Sequence, residues 1–309
     1  MPEVLVRARG LTKRFGRFTA VDGIDFDLFR GEAFGFLGPN GAGKSSTMRM
    51  LGCVSPPSAG DLTILGGDPV RDGPAIRSRL GVVPQEDTLD VELTVRENLL
   101  VYGRYFGLPR KLISERTDQL LDFVQLTERA GDQVDPLSGG MKRRLTIARS
   151  LINDPDILIL DEPTTGLDPQ ARHVVWDRLF SLKHRGVTLV LTTHYMDEAE
   201  QLCDRLVVMD HAAIVAEGTP RDLITRYSTP EVVELRFAPG TTDDAVERIK
   251  DLSPERLEVT ADRLLLYASD GDEFLSRVHA AGIEPLTELV RRSTLEDVFL
   301  HLTGRTLID

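Results

Sequence analysis

Apolar positions along the first two thirds of the chain come in strand-length blocks separated by stretches of helical spacing. Val4–Arg9 and Ile24–Phe29 alternate roughly between apolar and polar residues, the period-two pattern of half-buried strands. Ala33–Leu37 is a short apolar run that ends in a glycine-rich turn, after which Ser45–Gly52 reads as a helix. Asp61–Leu65 is a second strand followed by the turn Gly66-Gly67. Ile157–Leu160, Leu189–Thr192 and Val207–Met209 are further β-rich runs, of the length expected for buried strands. Between them, Val95–Thr127 carries amphipathic spacing through Leu99, Leu100, Tyr102, Tyr105 and Phe106, then Leu120, Leu121, Val124 and Leu126. Gly107 and Pro109 break that stretch in the middle. Strands alternating with helices predict an α/β domain with a mostly parallel, doubly covered sheet over residues 1–227, into which a helical subdomain at about 86–150 is inserted.

Around Ser228-Thr229-Pro230 the pattern changes. Residues 228–309 read as strand (Val232–Phe237), helix (Asp243–Leu252), a hairpin (Leu257–Thr260 and Leu264–Tyr267 about the turn Ala261-Asp262-Arg263), helix (Glu273–Ala281), strand (Leu286–Val290) and a last helix (Leu295–Leu302). The order βαββαβ plus a helix predicts a small α+β domain of the split βαβ kind. Ser293-Thr294-Leu295-Glu296 resembles a capping box ahead of the last helix. The tail carries no catalytic constellation, and Arg291-Arg292 reads as a solvated basic pair, so a regulatory or dimer-stabilising role is expected of it.

Charge narrows the partners. Forty-nine acidic residues against 37 basic ones give a net charge of −12, a poor balance for gripping a phosphate backbone, so no nucleic-acid partner is expected. The two cysteines, Cys53 and Cys203, read as free thiols in a reducing compartment. The N-terminus lacks a signal pattern and no apolar run approaches the length of a spanning helix, which points to a cytosolic polypeptide. Any action at a membrane would need another chain to supply the spanning part.

The candidate chemistry begins with Gly38-Pro39-Asn40-Gly41-Ala42-Gly43-Lys44-Ser45, which fits the phosphate-binding loop at every fixed position. Glycines let the backbone wrap with its N–H groups inward, and the following helix adds its positive end. Lys44 would reach the β- and γ-phosphates, and the Ser45 hydroxyl is a hard oxygen ligand for Mg²⁺. Ile157–Leu160 runs into Asp161 and Glu162, at a strand end where open α/β sheets bind ligands. Charges at strand ends are commonly only solvated. Beside a phosphate loop, Asp161 becomes a candidate to hold Mg²⁺ through water and Glu162 a candidate general base.

Leu137-Ser138-Gly139-Gly140-Met141-Lys142-Arg143-Arg144 resembles the signature of the ATP-binding-cassette ATPases. The ordered set is the specific feature: phosphate loop, Gln85, signature, acidic strand end, Gly166-Leu167-Asp168, then Thr192-Thr193-His194. The resemblance covers residues 4 to about 225 and implies a P-loop NTPase core with a mixed sheet and a helical subdomain. It further implies that the chain hydrolyses ATP with Mg²⁺. Gln85 would contact Mg²⁺ and the attacking water, and His194 would contact the γ-phosphate and hold Glu162. Asp168 would couple two sites, and Phe15 would stack on adenine where the family more often has Tyr. Ser46, where threonine is common, completes the phosphate loop, and Met141 replaces the usual glutamine. Ser138, Gly139 and Gly140 would close on a nucleotide bound by Lys44 of a second copy, so a homodimer in the ATP state is implied.

Asn98–Gly107, Met141–Arg149 and Leu295–Gly304 are similar to the drug-resistance and nodulation branch of cassette exporters. That likeness implies efflux of a drug, lipid-linked or oligosaccharide-type substrate through a separate ABC-2-type membrane permease, with this chain on the cytoplasmic face of the membrane. The permease is expected to dock between Gln85 and the helical region, against Asp87, Leu89, Val91 and Tyr102. A non-transport cassette ATPase of DNA repair or translation is the alternative. Against it, no heptad run separates Lys44 from Ser138, and the chain has one cassette rather than two.

Overall fold

In the computed structural model, residues 3–238, 242–260 and 262–304 are described. They divide into two units, Met1–Thr219 and Pro220–Asp309. In the first, two long strands, β1 (Val4–Phe15) and β2 (Phe18–Phe29), precede β3 (Ala33–Leu37) and α1 (Lys44–Leu51). Then follow β4 (Ala59–Ile64), α2 (Gly73–Arg77) and β5 (Leu80–Val83), and the helices α3 (Val95–Tyr105), α4 (Arg110–Phe123) and α5 (Gly139–Ser150). The unit closes with β6 (Ile157–Asp161), α6 (Pro169–His184), β7 (Thr188–Thr193), α7 (Met196–Leu202), β8 (Arg205–Asp210) and β9 (Ala213–Gly218).

Six strands form one sheet in the order β5-β6-β7-β3-β8-β9, all parallel except β9, which pairs antiparallel with β8. Every residue of β3 and β7 is buried, which explains why these strands read as continuous apolar runs rather than alternations. β1, β2 and β4 make a second, antiparallel sheet in the order β2-β1-β4. Phe26 of that sheet packs on Phe34 and Phe36 of β3, with ring centroids 5.9 and 5.2 Å apart, so one apolar core joins the two sheets. The sequence pattern located most of these strands but left out β5 and β9. β5 is short and contains Gly81, which reads as a turn. A Cβ there would lie 2.3 Å from the Ser150 carbonyl oxygen, so the strand needs the glycine to pack.

The helical part packs along most of the expected stripe and carries a cap that the spacing did not indicate. Thr94 and Glu97 form a capping box at the start of α3, the Thr94 N–H donating to Glu97 Oε2 at 2.9 Å. Val95, Leu99, Leu121, Val124 and Leu126 are buried against Leu145 and Ala148 of α5. Tyr105, counted in the same stripe, is instead 78% exposed.

The second unit begins with α8 (Pro220–Tyr227), ahead of the expected boundary at 228, and continues through β10 (Glu231–Arg236), α9 (Thr242–Asp251), β11 (Arg256–Val259) and β12 (Leu264–Ala268). It ends with α10 (Gly271–Ala280), β13 (Thr287–Arg292) and α11 (Leu295–Thr303). The four strands are antiparallel in the order β11-β12-β10-β13, the split βαβ arrangement. Of the expected hairpin turn, Ala261 lies outside the described residues. Two local readings change. The cap of α11 is Thr294 with Asp297, one residue later than the Ser293–Glu296 pair, because Asp297 Oδ2 accepts the Thr294 N–H at 2.8 Å. Arg291 is not solvated: it donates to Asp297 at 2.7 and 3.0 Å and to Glu234 at 2.5 Å. Cys53 and Cys203 are free thiols.

Candidate functional site

The loop from Gly38 to Gly43 leaves the buried end of β3 and feeds α1. Two of its glycines are dictated by contact. A Cβ on Gly38 would lie 2.3 Å from the Met209 carbonyl oxygen. Gly43, at φ 107°, would place one 2.4 Å from the Ala20 carbonyl oxygen. Asn40 and Gly41 are exposed at the rim, and Pro39 is half-buried. Ala42 is buried in the core, while Ser45 and Ser46 are half-buried in the first turn of α1. Lys44 is buried and donates to the carbonyls of Gly38 (2.7 Å) and Pro39 (3.0 Å), so its ammonium is folded back across the mouth of the loop. Burial pushes its pKa down, and Glu162 and Asp161 oppose that shift.

β6 ends at this loop. Ser45 Oγ donates to Asp161 Oδ1 at 3.3 Å, and Thr192 Oγ1 donates to the same oxygen at 2.5 Å. Among the described residues no hydrogen bond reaches Asp161 Oδ2. A hydroxyl and a carboxylate side by side are the hard-oxygen pair that suits a divalent ion carried in on phosphates. Glu162 has φ 46°, a left-handed conformation that costs a non-glycine residue free energy and is often found at active sites. Its N–H donates to Thr192 Oγ1 at 2.9 Å, and its carboxylate accepts from Gln85 Nε2 and Thr165 Oγ1, each at 3.1 Å. Lys44 Nζ stands 3.8 Å from Oε1 and His194 Nδ1 3.4 Å from it. The His194 nitrogen is close enough for an ion pair but makes no hydrogen bond. His194 foremost, then Lys44 and Thr165, hold the Glu162 carboxyl below the usual glutamate range in spite of burial.

Arg143 secures this strained corner, and sequence reasoning gave it no role. It is buried in α5 and donates to the carbonyl oxygens of Pro163 (2.6 Å), Pro84 (2.5 Å), Asp161 and Glu162 (3.1 Å each). One planar guanidinium therefore ties the helix after the signature to both Gln85's segment and the acidic strand end. Its only sequence signal was its place in the signature run, where it looks like one of several exposed cations.

The remaining candidates lie apart from this cluster. Ser138 is exposed and caps α5, its hydroxyl accepting the Met141 N–H at 3.3 Å. A Cβ on Gly139 would meet Leu167 Cδ2 at an ordinary 3.9 Å, whereas one on Gly140 would lie 2.8 Å from Ala171 Cβ. Asp168 caps α6 by accepting the Ala171 N–H at 2.9 Å. Ser138, Gly140 and Asp168 line a shallow cavity of about 210 Å³, while Ser45, Gln85 and Asp161 line a different one of about 460 Å³. Phe15 is 49% exposed at the end of the β1–β2 hairpin, with Lys13 Nζ 5.0 Å from its ring centroid. β2 itself touches the phosphate loop at Ala20. Of the four residues expected to receive a permease, Tyr102 lines a cleft of about 420 Å³ with Arg149 stacked 4.9 Å above its ring. Leu89 packs into the helical core instead, and Asp87 and Val91 are exposed beside the cleft's lining.

Among the described residues no helix is long and apolar enough to cross a membrane. A family model described as ABC transporter matches residues 21–165, and one described as the C-terminal domain of nodulation factor export protein NodI matches 244–304. The Nod factor export ATP-binding protein I of Ralstonia nicotianae is 48% identical over 309 residues, covering 99% of this chain and 95% of that protein. Its namesake in Paraburkholderia xenovorans is 48% identical over 311 residues, covering the whole of both. Among solved structures, an ATP-binding subunit of an ABC transporter superposes with a TM-score of 0.65 at 30% identity, over 72% of this chain and 93% of that one. A dimeric ATP-binding cassette in a post-hydrolysis state, bound to ADP and phosphate, gives 0.63 at 26% identity, over 69% and 98%.

Proposed function

The chain belongs to the ABC transporter ATP-binding family and is an ATPase, and we propose that it drives an exporter by closing and opening as a nucleotide-sandwiching dimer. The observation that carries this reading is the split of the site. Lys44, Ser45, Gln85, Asp161, Glu162 and His194 converge, while Ser138, Gly140 and Asp168 border a separate cavity on the exposed surface. A serine hydroxyl and helix-start N–H groups facing solvent are anion donors awaiting a phosphate from elsewhere. A second copy supplies it, and the ADP- and phosphate-bound dimer among the similar structures supports that assembly.

In this reading the loop N–H groups and Lys44 bind the β- and γ-phosphates, and Phe15 stacks on the adenine. Ser45 and Asp161, with Gln85, would hold Mg²⁺, which would supply charge neutralisation on the phosphate oxygens. Glu162, whose carboxyl His194 and Lys44 hold toward the ionised form, accepts a proton from the attacking water. His194 keeps Glu162 oriented and faces the γ-phosphate. Hydrolysis removes the charge that bridges the two copies, and differential contact in the two nucleotide states is what moves them.

Full-length relatives named for Nod factor export favour export over import, and favour it over the DNA-repair or translation alternative. The partner is a membrane permease of the ABC-2 type, seated on the cleft beside Tyr102. The chain is then peripheral, on the cytoplasmic face, and the cargo is a drug, lipid-linked or oligosaccharide-type molecule recognised mainly by the permease. The second unit stabilises or regulates the dimer.

Mixing two inactive variants tests the shared site. A Lys44→Ala chain and a Ser138→Arg chain are each inactive alone. Together they regain one intact site per mixed dimer, and phosphate release with Mg²⁺ and ATP returns. No recovery on mixing would mean that the signature does not act across copies.

A further inference from the structure

Glu198, in the first turn of α7, is fully buried, yet no cation lies within ion-pairing distance of it among the described residues. Its Oε1 accepts two hydrogen bonds, from Thr164 Oγ1 at 2.8 Å and from Trp176 Nε1 at 3.0 Å. Its Oε2 is buried without a hydrogen-bond partner among the described residues. Burial pushes the carboxyl's pKa up, in the direction of the neutral acid. A carboxyl with no counter-charge in the interior is costly, so its presence calls for a reason.

Its partners supply one. Thr164 is buried two residues after Glu162, and its neighbour Thr165 donates directly to the Glu162 carboxylate. Trp176 belongs to α6, the helix capped by Asp168. Glu198 itself follows His194 by four residues. A second strap runs alongside: Arg172 of α6 stacks 4.2 Å from the Tyr195 ring and stands 3.6 Å from Asp197. One carboxyl thus touches the loop of the base and the helix behind Asp168, and it sits on the helix that begins just after His194.

We propose that Glu198 is a positioning residue for ATP hydrolysis: its carboxyl fastens the Glu162–Asp168 loop to the helix behind His194, so that base and histidine keep a fixed spacing. Fully buried, it acts through Thr164 and Trp176. The proposal rests on the roles given above to Glu162 and His194.

The test uses the purified full chain with Mg²⁺ and ATP, with kcat and KM measured separately and nucleotide affinity read with a fluorescent ATP analogue. Glu198→Ala lowers kcat about tenfold and changes affinity less than twofold. Glu198→Gln keeps at least half of the parent kcat, because an amide oxygen still accepts both hydrogen bonds. Thr164→Val lowers kcat similarly, and the double variant Thr164→Val/Glu198→Ala is no slower than Glu198→Ala alone, as expected of two ends of one contact. Parent-level kcat in Glu198→Ala, a loss expressed mainly in affinity, a Glu198→Gln as slow as Glu198→Ala, or multiplicative losses in the double variant would each overturn it. Should Glu198→Ala fail to fold, Thr164→Val decides the matter, since it removes one hydroxyl and keeps the shape, and parent kcat there overturns the proposal. Glu162→Gln run in parallel separates the two readings. If it is fully active the base is misassigned; if it is inactive while Glu198→Ala is not, only the fastening role is lost.

Discussion

Two buried carboxylates, Glu162 in the first unit and Asp297 in the second, each sit beside a cation, and they are built to opposite ends. Asp297 accepts two bonds from Arg291 at 2.7 and 3.0 Å, one from the Tyr267 hydroxyl at 3.1 Å and one from the Thr294 N–H at 2.8 Å. Arg291 is in turn held by Glu234, and the backbone around Asp297 is an ordinary capped helix. Glu162 accepts only single hydrogen bonds, from Gln85 and Thr165 at 3.1 Å each, has Lys44 Nζ at 3.8 Å and His194 Nδ1 at 3.4 Å, finds no bidentate partner among the described residues, and stands on a left-handed backbone. A carboxylate with close, paired donors has no capacity left and serves the fold. One held loosely on a strained turn keeps lone pairs free for something that is not part of the chain. The contrast separates structural from chemical charge without reference to any motif.

The largest effect expected from breaking this contrast is on the chemistry. Glu162→Gln keeps the shape and removes the proposed proton acceptor, so phosphate release is expected to fall by a factor of about 10² to 10⁴. The melting temperature stays close to the parent's, and a nucleotide-bound dimer accumulates on size-exclusion chromatography. A variant that hydrolyses at the parent rate would remove Glu162 from the role of base.

Asp297→Ala is the mirror experiment. It leaves Arg291 partly buried with half its partners gone, and destabilises the second unit by about 3–5 kcal/mol in denaturant unfolding. ATP hydrolysis by the folded protein stays at the parent rate. A loss of hydrolysis with no loss of stability would contradict the assignment of this cluster to the fold.

A smaller effect is expected at Phe15. Phe15→Ala removes a stacking face worth about 1–3 kcal/mol, weakening ATP affinity roughly 5- to 150-fold in a fluorescence titration, whereas Phe15→Tyr keeps parent affinity. Unchanged affinity in Phe15→Ala would move the adenine elsewhere.

The smallest is a pH effect on the tight cluster. Arg291, the Thr294 N–H and Tyr267 hold the Asp297 carboxyl below its ordinary value of 3.8, against the opposing effect of burial. A carboxyl depressed in the folded state adds stability above its unfolded pKa, and that stability is lost as pH falls through the folded value. Acid unfolding followed by tryptophan-independent circular dichroism should therefore steepen below about pH 3.8 in the parent. In Asp297→Asn that steepening shrinks, and an identical acid limb in both would show that Asp297 is not responsible.

Much of the site was legible because its chemistry is local. The glycines of residues 38–43 and the Lys44-Ser45 pair form the consecutive pattern a backbone needs to wrap a phosphate, the role proposed for them above. Asp161 and Glu162 were visible as charges at the end of an apolar strand. Arg143 was not, because its value lies in four carbonyls drawn from two distant segments, and nothing in its neighbours distinguishes it from Lys142 or Arg144. Arg291 was misread for the same reason: a basic pair near a strand end looks solvated until Glu234 and Asp297 are folded against it. In the fold, long apolar runs and amphipathic helices stood out, whereas β5 did not, since a four-residue strand with a glycine has too little pattern to separate from a turn.

The order of apolar blocks and the consecutive-residue motifs settled by themselves that this chain is an α/β nucleotide-binding protein with an antiparallel tail domain, because periodicity and backbone wrapping are short-range properties. Folding alone decided which charges are satisfied and which are left open. Hydrogen-bond partners across a sheet lie many tens of residues apart, and a carboxylate's free lone pairs can be counted only when those partners are in place.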